Sequence, residues 1–307
     1  MASEELQVVR ELLRGIDLDA MTIQERRAAT ASAGQAPGGT RVAAADAGGV
    51  PAEWVTPPGE AGGRVLMYLH GGGYQLGSPA TARHLVALLS AAAQAQAFSV
   101  DYRLAPEHPF PAAVEDAVAA YRWLLAAGHD PASVAIAGDS AGGGLVLATL
   151  VALRDSGDRL PAAAVAMSPW TDLALTGESL RTRAGVEVMV KPAGMPETAA
   201  LYLAGADPRH PYASPLYADL HGLPPLLIQV GDAEVILDDS TRFAARARAA
   251  GVEVTLDIWD EMPHVFQAFA GLLPEADQAV AQVGRWIREH VRAGLGQSPP
   301  SAQKLQW

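Results

Sequence analysis

The chain contains no cysteine, so disulfides, thiolate nucleophiles and cysteine-ligated metals are excluded at the outset. Lysine is almost missing as well: only Lys191 and Lys304 occur among 22 basic side chains, and the many alanines beside so much arginine read as compositional bias without functional weight. Positive charge is scarce overall. A formal net charge of -12 and a pI near 5.1 set the chain against phosphate backbones and anionic membrane surfaces, so neither nucleic acid nor membrane is expected as a partner. No apolar run is long enough to span a bilayer, and Glu4, Glu5, Arg10 and Glu11 charge the first residues where a signal peptide would be apolar. An intracellular, cytoplasmic location is the resulting expectation.

What is present is core-forming material. Half of the 307 residues are hydrophobic, enough for one large α/β sheet with insertions even though length alone is compatible with two domains. Leu6, Val9, Leu12, Leu13 and Ile16 fall on one helical face, and Thr22 with Glu25 reads as a capping box opening a second helix. The Gly34 to Gly39 stretch breaks that pattern, and strand-like segments follow at 41–45 and 52–56. From Val65 the chain alternates: strand 65–69, helix 80–94, strand 97–101, helix 111–126, strand 134–137, helix 141–156, strand 162–167. That alternation predicts a mostly parallel central sheet with helices on both faces. It stops after Ser168-Pro169-Trp170, where a stretch to about Leu216 carries five prolines and no clear strand, as an insertion over a site would. Strands resume at 226–230 and 254–259, with helices near 240–250 and over 276–291, and the polar tail 297–307 is expected to be disordered.

Two glycine-rich stretches follow apolar strands and carry the chemistry. Gly138-Asp139-Ser140-Ala141-Gly142 fits the G-x-S-x-G elbow, in which serine sits on a strained strand-to-helix turn and small neighbours let backbone pass on both sides. His70-Gly71-Gly72-Gly73, behind strand 65–69, is a run that offers backbone N–H groups to an oxyanion. The donors are expected to be the N–H groups of Gly72, Gly73 and Ala141. A serine hydroxyl at neutral pH needs a histidine base, and the histidine needs a carboxylate to hold its tautomer. Four histidines follow Ser140. His290 lies mid-helix among charges, His210 and His221 lie in or beside the insertion, and His264 alone follows a late strand in a short loop. His264 is therefore the expected base. For the acid, Asp232, Glu234, Asp238 and Asp239 all follow the strand ending at Val230. Asp238 and Asp239 double as caps for the next helix. Glu234 has no such second role and is favoured.

These motifs resemble those of the hormone-sensitive-lipase-like esterases, the bacterial branch of the α/β-hydrolases. His70 to Tyr74 is similar to that family's HGGG signature, Gly138 to Gly143 to its GDSAGG elbow, and Asp101 to Glu107 to its DYRLAPE segment, with Phe110 to Ala113 and Asp116 continuing the likeness. Together the likeness runs from about Val65 to Trp286. It implies an α/β-hydrolase fold, a Ser140–His264 pair with an acid after Val230, and no metal or organic cofactor. Glu234-Val235-Ile236-Leu237-Asp238 stands where the family most often has D-P-L-R-D, so the extra methylene of glutamate has to be absorbed by a retracted backbone. The resemblance further implies a helical cap built from 1–45 and 170–215 over a catalytic core of 46–169 and 216–296, and a homodimer through the last strand and helix. Tyr74, Trp170, Met189 and Tyr202 are candidates for lining the substrate pocket. Tyr102 is expected to pack, Arg103 and Glu107 to form a buried ion pair bracing the loop under the oxyanion strand, and Asp139 to orient the elbow or face the cap. The expected activity is hydrolysis of small, short-chain carboxylic esters through an acyl-enzyme. Lactone or amide hydrolysis uses the same groups, and a catalytically silent small-molecule receptor on the same fold is the rival from another class.

Overall fold

A computed structural model describes residues 3–15, 21–31, 34–59 and 62–294. Two helices, α1 (Glu5–Arg14) and α2 (Ile23–Thr30), precede a hairpin of β1 (Arg41–Asp46) and β2 (Pro51–Thr56). The chain then runs β3 (Arg64–Leu69), α3 (Pro79–Ala93), β4 (Ala95–Val100), α4 (Ala112–Ala126), β5 (Val134–Asp139), α5 (Ala141–Asp155) and β6 (Ala163–Met167). Short helices α6 (Ser179–Thr182) and α7 (Met195–Leu203) occupy the insertion, and β7 (Leu226–Gly231), α8 (Leu237–Ala249), β8 (Val254–Trp259) and α9 (Pro274–His290) complete the order.

Among the described residues, eight strands form one sheet in the order β1-β2-β4-β3-β5-β6-β7-β8. β1 and β2 pair antiparallel, as do β2 and β4, and every pairing from β4 to β8 is parallel. This is the mostly parallel sheet expected from the alternating pattern, in the α/β-hydrolase architecture that the resemblance implies. Because a parallel sheet is covered on both faces, its strands read as continuous apolar runs whose alternate residues enter two cores. Val65, Met67 and Leu69 of β3 join one core with α4, α5 and α8, while Leu66 and Tyr68 join the other with α1, α3 and α9.

The chain winds from β3 outward to β4 and returns to lay β5 on the other side of β3, so the loops after β3 and β5 diverge. Such a switch point leaves a crevice at the carboxyl ends of the strands. Ser140 and the glycine run both lie there.

The N-terminal helices dock differently. Leu6, Val9 and Leu13 of α1 are buried in the core that also holds Met262 and Phe266; Ile16 lies outside the described residues, as does the tail 297–307. The Thr22–Glu25 capping box forms, but α2 buries no residue and is held by polar contacts instead. Arg27 donates to the Gln75 and Ala105 carbonyls and pairs with Glu107 at 2.8 Å. This corrects the expected Arg103–Glu107 pair. Arg103 turns to Asp116, also at 2.8 Å, because its backbone N–H already faces the same carboxylate.

Candidate active site

Ser140 occupies the turn between β5 and α5 with φ 54° and ψ -123°, a backbone region costly for any residue with a side chain. Its neighbours explain the glycines. A Cβ on Gly142 would stand 2.1 Å from the Leu69 carbonyl oxygen, and Gly72 combines φ +118° with a carbonyl 2.3 Å from where its Cβ would be. The strand end and the elbow touch backbone to backbone. Asp139 secures that contact: it accepts from the Tyr68 hydroxyl at 2.6 Å and the Gly71 N–H at 3.0 Å, so it ties the end of β3 to the turn after β5. Ala141 opens α5, so its N–H has no intrahelical acceptor. Among the described residues, neither the Gly72 nor the Gly73 N–H is committed to a backbone acceptor.

The loop after β8 brings His264 across to the elbow. Its Nε2 lies 2.8 Å from Ser140 Oγ and its Nδ1 lies 2.8 Å from Glu234 Oε2, although the three residues are far apart in the chain. A carboxylate only accepts, so Nδ1 carries the proton and Nε2 is free to accept from the serine. Glu234 is fully buried, and its Oε1 accepts from the Gly231 N–H and the Ser168 hydroxyl, each at 2.6 Å. Burial pushes the Glu234 carboxyl up, while the donors from His264, Ser168 and Gly231 pull against it. On His264 burial acts to lower the pKa, but the Glu234 bond and charge, with the charges of Glu187 and Asp139, prevail and lift the imidazole above its ordinary value.

Asp238 and Asp239 are neither triad partners nor caps. No side chain caps α8. Asp238 accepts the Ser179 N–H at 3.0 Å, and Asp239 accepts the N–H groups of Thr171 and Asp172 at 2.7 and 2.8 Å, fastening the insertion to α8. Burial, then the charge of Asp172, pushes Asp239 up to about 8. A folded pKa above the unfolded value means that the folded state holds a proton the unfolded chain has lost. Stability therefore falls as pH rises toward 8. Asp239→Asn keeps an oxygen acceptor and removes the proton, so its melting temperature should decline less than wild type between pH 6 and 9; a parallel decline in scanning fluorimetry would contradict this.

Tyr74, Trp170 and Tyr202 form a buried aromatic block beside the elbow. Tyr74 stacks on Tyr202 at 3.7 Å, Trp170 lies 6.4 Å from Tyr74, and the backbone N–H of Trp170 donates to the Ser140 carbonyl. Met189, by contrast, is 48% exposed on the 183–191 loop. The same loop carries Glu187, whose Oε1 accepts the Val188 and Met189 N–H groups and whose Oε2 is buried without a partner among the described residues. Nothing in the sequence of a proline-bearing insertion distinguishes that glutamate. Among the described residues no group of three or more His, Asp or Glu side chains is placed to hold a metal ion, and no helix is long and apolar enough to cross a membrane.

Comparison with known proteins adds the lineage. A model described as an alpha/beta hydrolase fold matches residues 66–268. An acetyl-hydrolase of Streptomyces hygroscopicus is 49% identical over 302 residues, covering 96% of this chain and all of the relative. An esterase of Acinetobacter venetianus is 39% identical over 224 residues, 73% of this chain and 74% of that protein. Among solved structures, the esterase EstE5 soaked with p-nitrophenyl butyrate superposes with a TM-score of 0.91 at 49% identity, over 94% of this chain and 99% of its own. An esterase of the bacterial hormone-sensitive lipase family gives a TM-score of 0.91 at 47% identity over 95% and 99%.

Proposed function

The chain belongs to the bacterial hormone-sensitive-lipase family of α/β-hydrolases and is a carboxylic-ester hydrolase; from that premise we propose that it cleaves short-chain esters through an acyl-enzyme on Ser140. What carries this reading is the unbroken run of hydrogen bonds from Ser140 Oγ through both ring nitrogens of His264 to Glu234 Oε2. Ser140 Oγ attacks the ester carbonyl carbon as its proton passes to His264 Nε2. Negative charge gathers on the former carbonyl oxygen, where the N–H groups of Gly72, Gly73 and Ala141 receive it. His264 returns the proton to the departing alkoxide, leaving the acyl group on Ser140. Water, deprotonated by the same nitrogen, then releases the acid and restores the serine. Glu234 keeps Nδ1 protonated and stabilises the imidazolium throughout.

The short-chain preference is supported by the buried Tyr74–Trp170–Tyr202 block next to the elbow, by the acetyl-hydrolase relative and by the butyrate ester soaked into EstE5. In this reading the N-terminal helices and the 170–215 insertion cap the site, with Arg27 tying α2 to the loop behind the oxyanion glycines. A p-nitrophenyl ester series from acetate to palmitate is expected to give its largest kcat/KM between acetate and hexanoate; a maximum at laurate or longer would overturn the preference.

The pH profile follows from His264. Only the neutral imidazole accepts the serine proton, and its pKa lies above the ordinary value because the surrounding carboxylates outweigh burial. Activity should therefore fall as pH drops, through an inflection above the reference histidine value of about 6.5. A profile that stays flat from pH 5 to 8 would remove His264 as the base.

A further inference from the structure

We propose that Ser168 is a positioning residue of the ester hydrolase, its one hydroxyl coupling the acid loop to the base loop. The inference rests on the proposed Ser140–His264–Glu234 mechanism and extends it to a residue with no place in it. Ser168 follows the last residue of β6, is fully buried, and is held at φ +47°. Its N–H donates to the Gln229 carbonyl at 2.7 Å, carrying the β6–β7 pairing one step beyond the regular ladder. Its hydroxyl then makes two bonds to two different loops. It donates to Glu234 Oε1 at 2.6 Å, and it accepts the N–H of Val265, the residue after the base, at 3.1 Å.

The directions of these bonds are fixed by chemistry. A hydroxyl has one proton, an ionised carboxylate only accepts and an N–H only donates, so no rotation of the hydroxyl exchanges the roles. One oxygen thereby sets the orientation of the Glu234 carboxylate and the position of the backbone that carries His264. Val265 itself sits at φ +50°, so the turn after His264 is an unfavoured conformation for a β-branched residue and has to be held from outside. Without the hydroxyl, Oε1 keeps only the Gly231 N–H, and the Val265 N–H loses its acceptor in a buried place.

The same bond affects proton affinity. A donor to a carboxylate favours its charged, proton-free form, so the Ser168 hydroxyl lowers the affinity of the Glu234–His264 dyad for a proton. Its removal should raise the inflection of the acid limb of kcat/KM. A residue that merely filled space would not move that limb.

Ser168→Gly is the informative variant, because glycine accepts the observed φ without strain while the hydroxyl is lost. Hydrolysis of p-nitrophenyl butyrate is expected to lose roughly 10- to 100-fold in kcat, the worth of a hydrogen bond to a charged group, with KM within about twofold. The acid limb is expected to shift to higher pH. Ser168→Ala, which preserves Cβ, should behave alike and carries the test if glycine loosens the fold; Ser168→Cys, with a weaker donor, should fall between alanine and wild type. An unchanged kcat together with an unmoved acid limb in a folded variant would overturn the proposal, as would a loss confined to KM. Labelling by a fluorophosphonate separates this from the premise. A wild-type enzyme not labelled at Ser140 refutes the mechanism itself, whereas normal labelling with an indifferent Ser168→Gly refutes only the role given to Ser168.

Discussion

Ser140→Gly and Ser140→Ala are both expected to abolish ester turnover, by roughly 10⁴- to 10⁶-fold in kcat, yet to differ in stability, with the glycine variant melting higher. The loss of turnover is the removal of the nucleophile. The difference in stability comes from the backbone: φ 54° with ψ -123° is costly for any residue carrying a Cβ, on the order of 1 to 3 kcal/mol. Alanine retains that strain and loses the Oγ–Nε2 bond, whereas glycine loses the bond and releases the strain. Glycine also gives up more unfolded-state entropy, about 0.5 to 1 kcal/mol, so the net advantage should be about 1 kcal/mol, visible as a melting temperature higher by about 2 °C. Residual turnover above the uncatalysed rate would come from the oxyanion glycines, which neither substitution touches. Equal or inverted melting temperatures would mean that the elbow stores no strain, and wild-type turnover in either variant would remove Ser140 from the mechanism.

The sequence is legible where a function constrains backbone, and opaque where side chains meet only in the folded chain. Gly142 and Gly72 are readable because a Cβ at either position would collide with a carbonyl of a neighbouring segment, so the demand for glycine is written into the motif itself. The strands from β3 to β7 are readable because burial on both faces makes them mostly apolar, with Gln96 and Ser99 of β4 and Gln229 of β7 as interior exceptions. Glu234 and His264 stand out as candidates because each follows a late strand, and the structure brings His264 to Ser140 and Glu234 to the far side of the His264 ring. Ser168 carries no comparable mark. A serine before Pro169 looks like the start of a turn, and its value depends on the β6 and β7 ends lying side by side so that one hydroxyl meets two loops. Arg27 and Glu107 are 80 positions apart, and nothing local to either predicts that α2 lies over the Gln75 and Ala105 carbonyls. Asp238 and Asp239 mislead for a related reason. Their place at the start of α8 is that of caps, but the insertion supplies unpaired N–H groups at Thr171, Asp172 and Ser179 that compete for them and win.

Glu234→Gln is expected to lower kcat by roughly 10⁴-fold, the scale set by holding the base in the wrong tautomer, while Asp238→Asn stays within about threefold of wild type. The first loss follows from the donors around the carboxylate. The Gly231 N–H and the Ser168 hydroxyl both point at Oε1, so a glutamine there has to turn its carbonyl oxygen toward them and its NH2 toward His264. An NH2 group facing Nδ1 donates to it, which forces the ring proton onto Nε2, the nitrogen that should accept from Ser140. The alternative amide orientation restores the correct tautomer only by setting the Gly231 N–H against an NH2 group and taking the acceptor from the Ser168 hydroxyl proton in a buried site, which is the costlier arrangement. The same substitution removes the carboxylate whose bond and charge are the largest influences lifting the imidazole, leaving burial to lower it. The residual activity should therefore show its acid limb at lower pH than wild type, opposite in sign to the shift expected for Ser168→Gly. Asp238 accepts a backbone N–H from Ser179, and asparagine keeps that bond through its own carbonyl oxygen. If Asp238→Asn were the crippling change, the acid would be Asp238 and the hydrogen bonds that converge on Glu234 would be only structural.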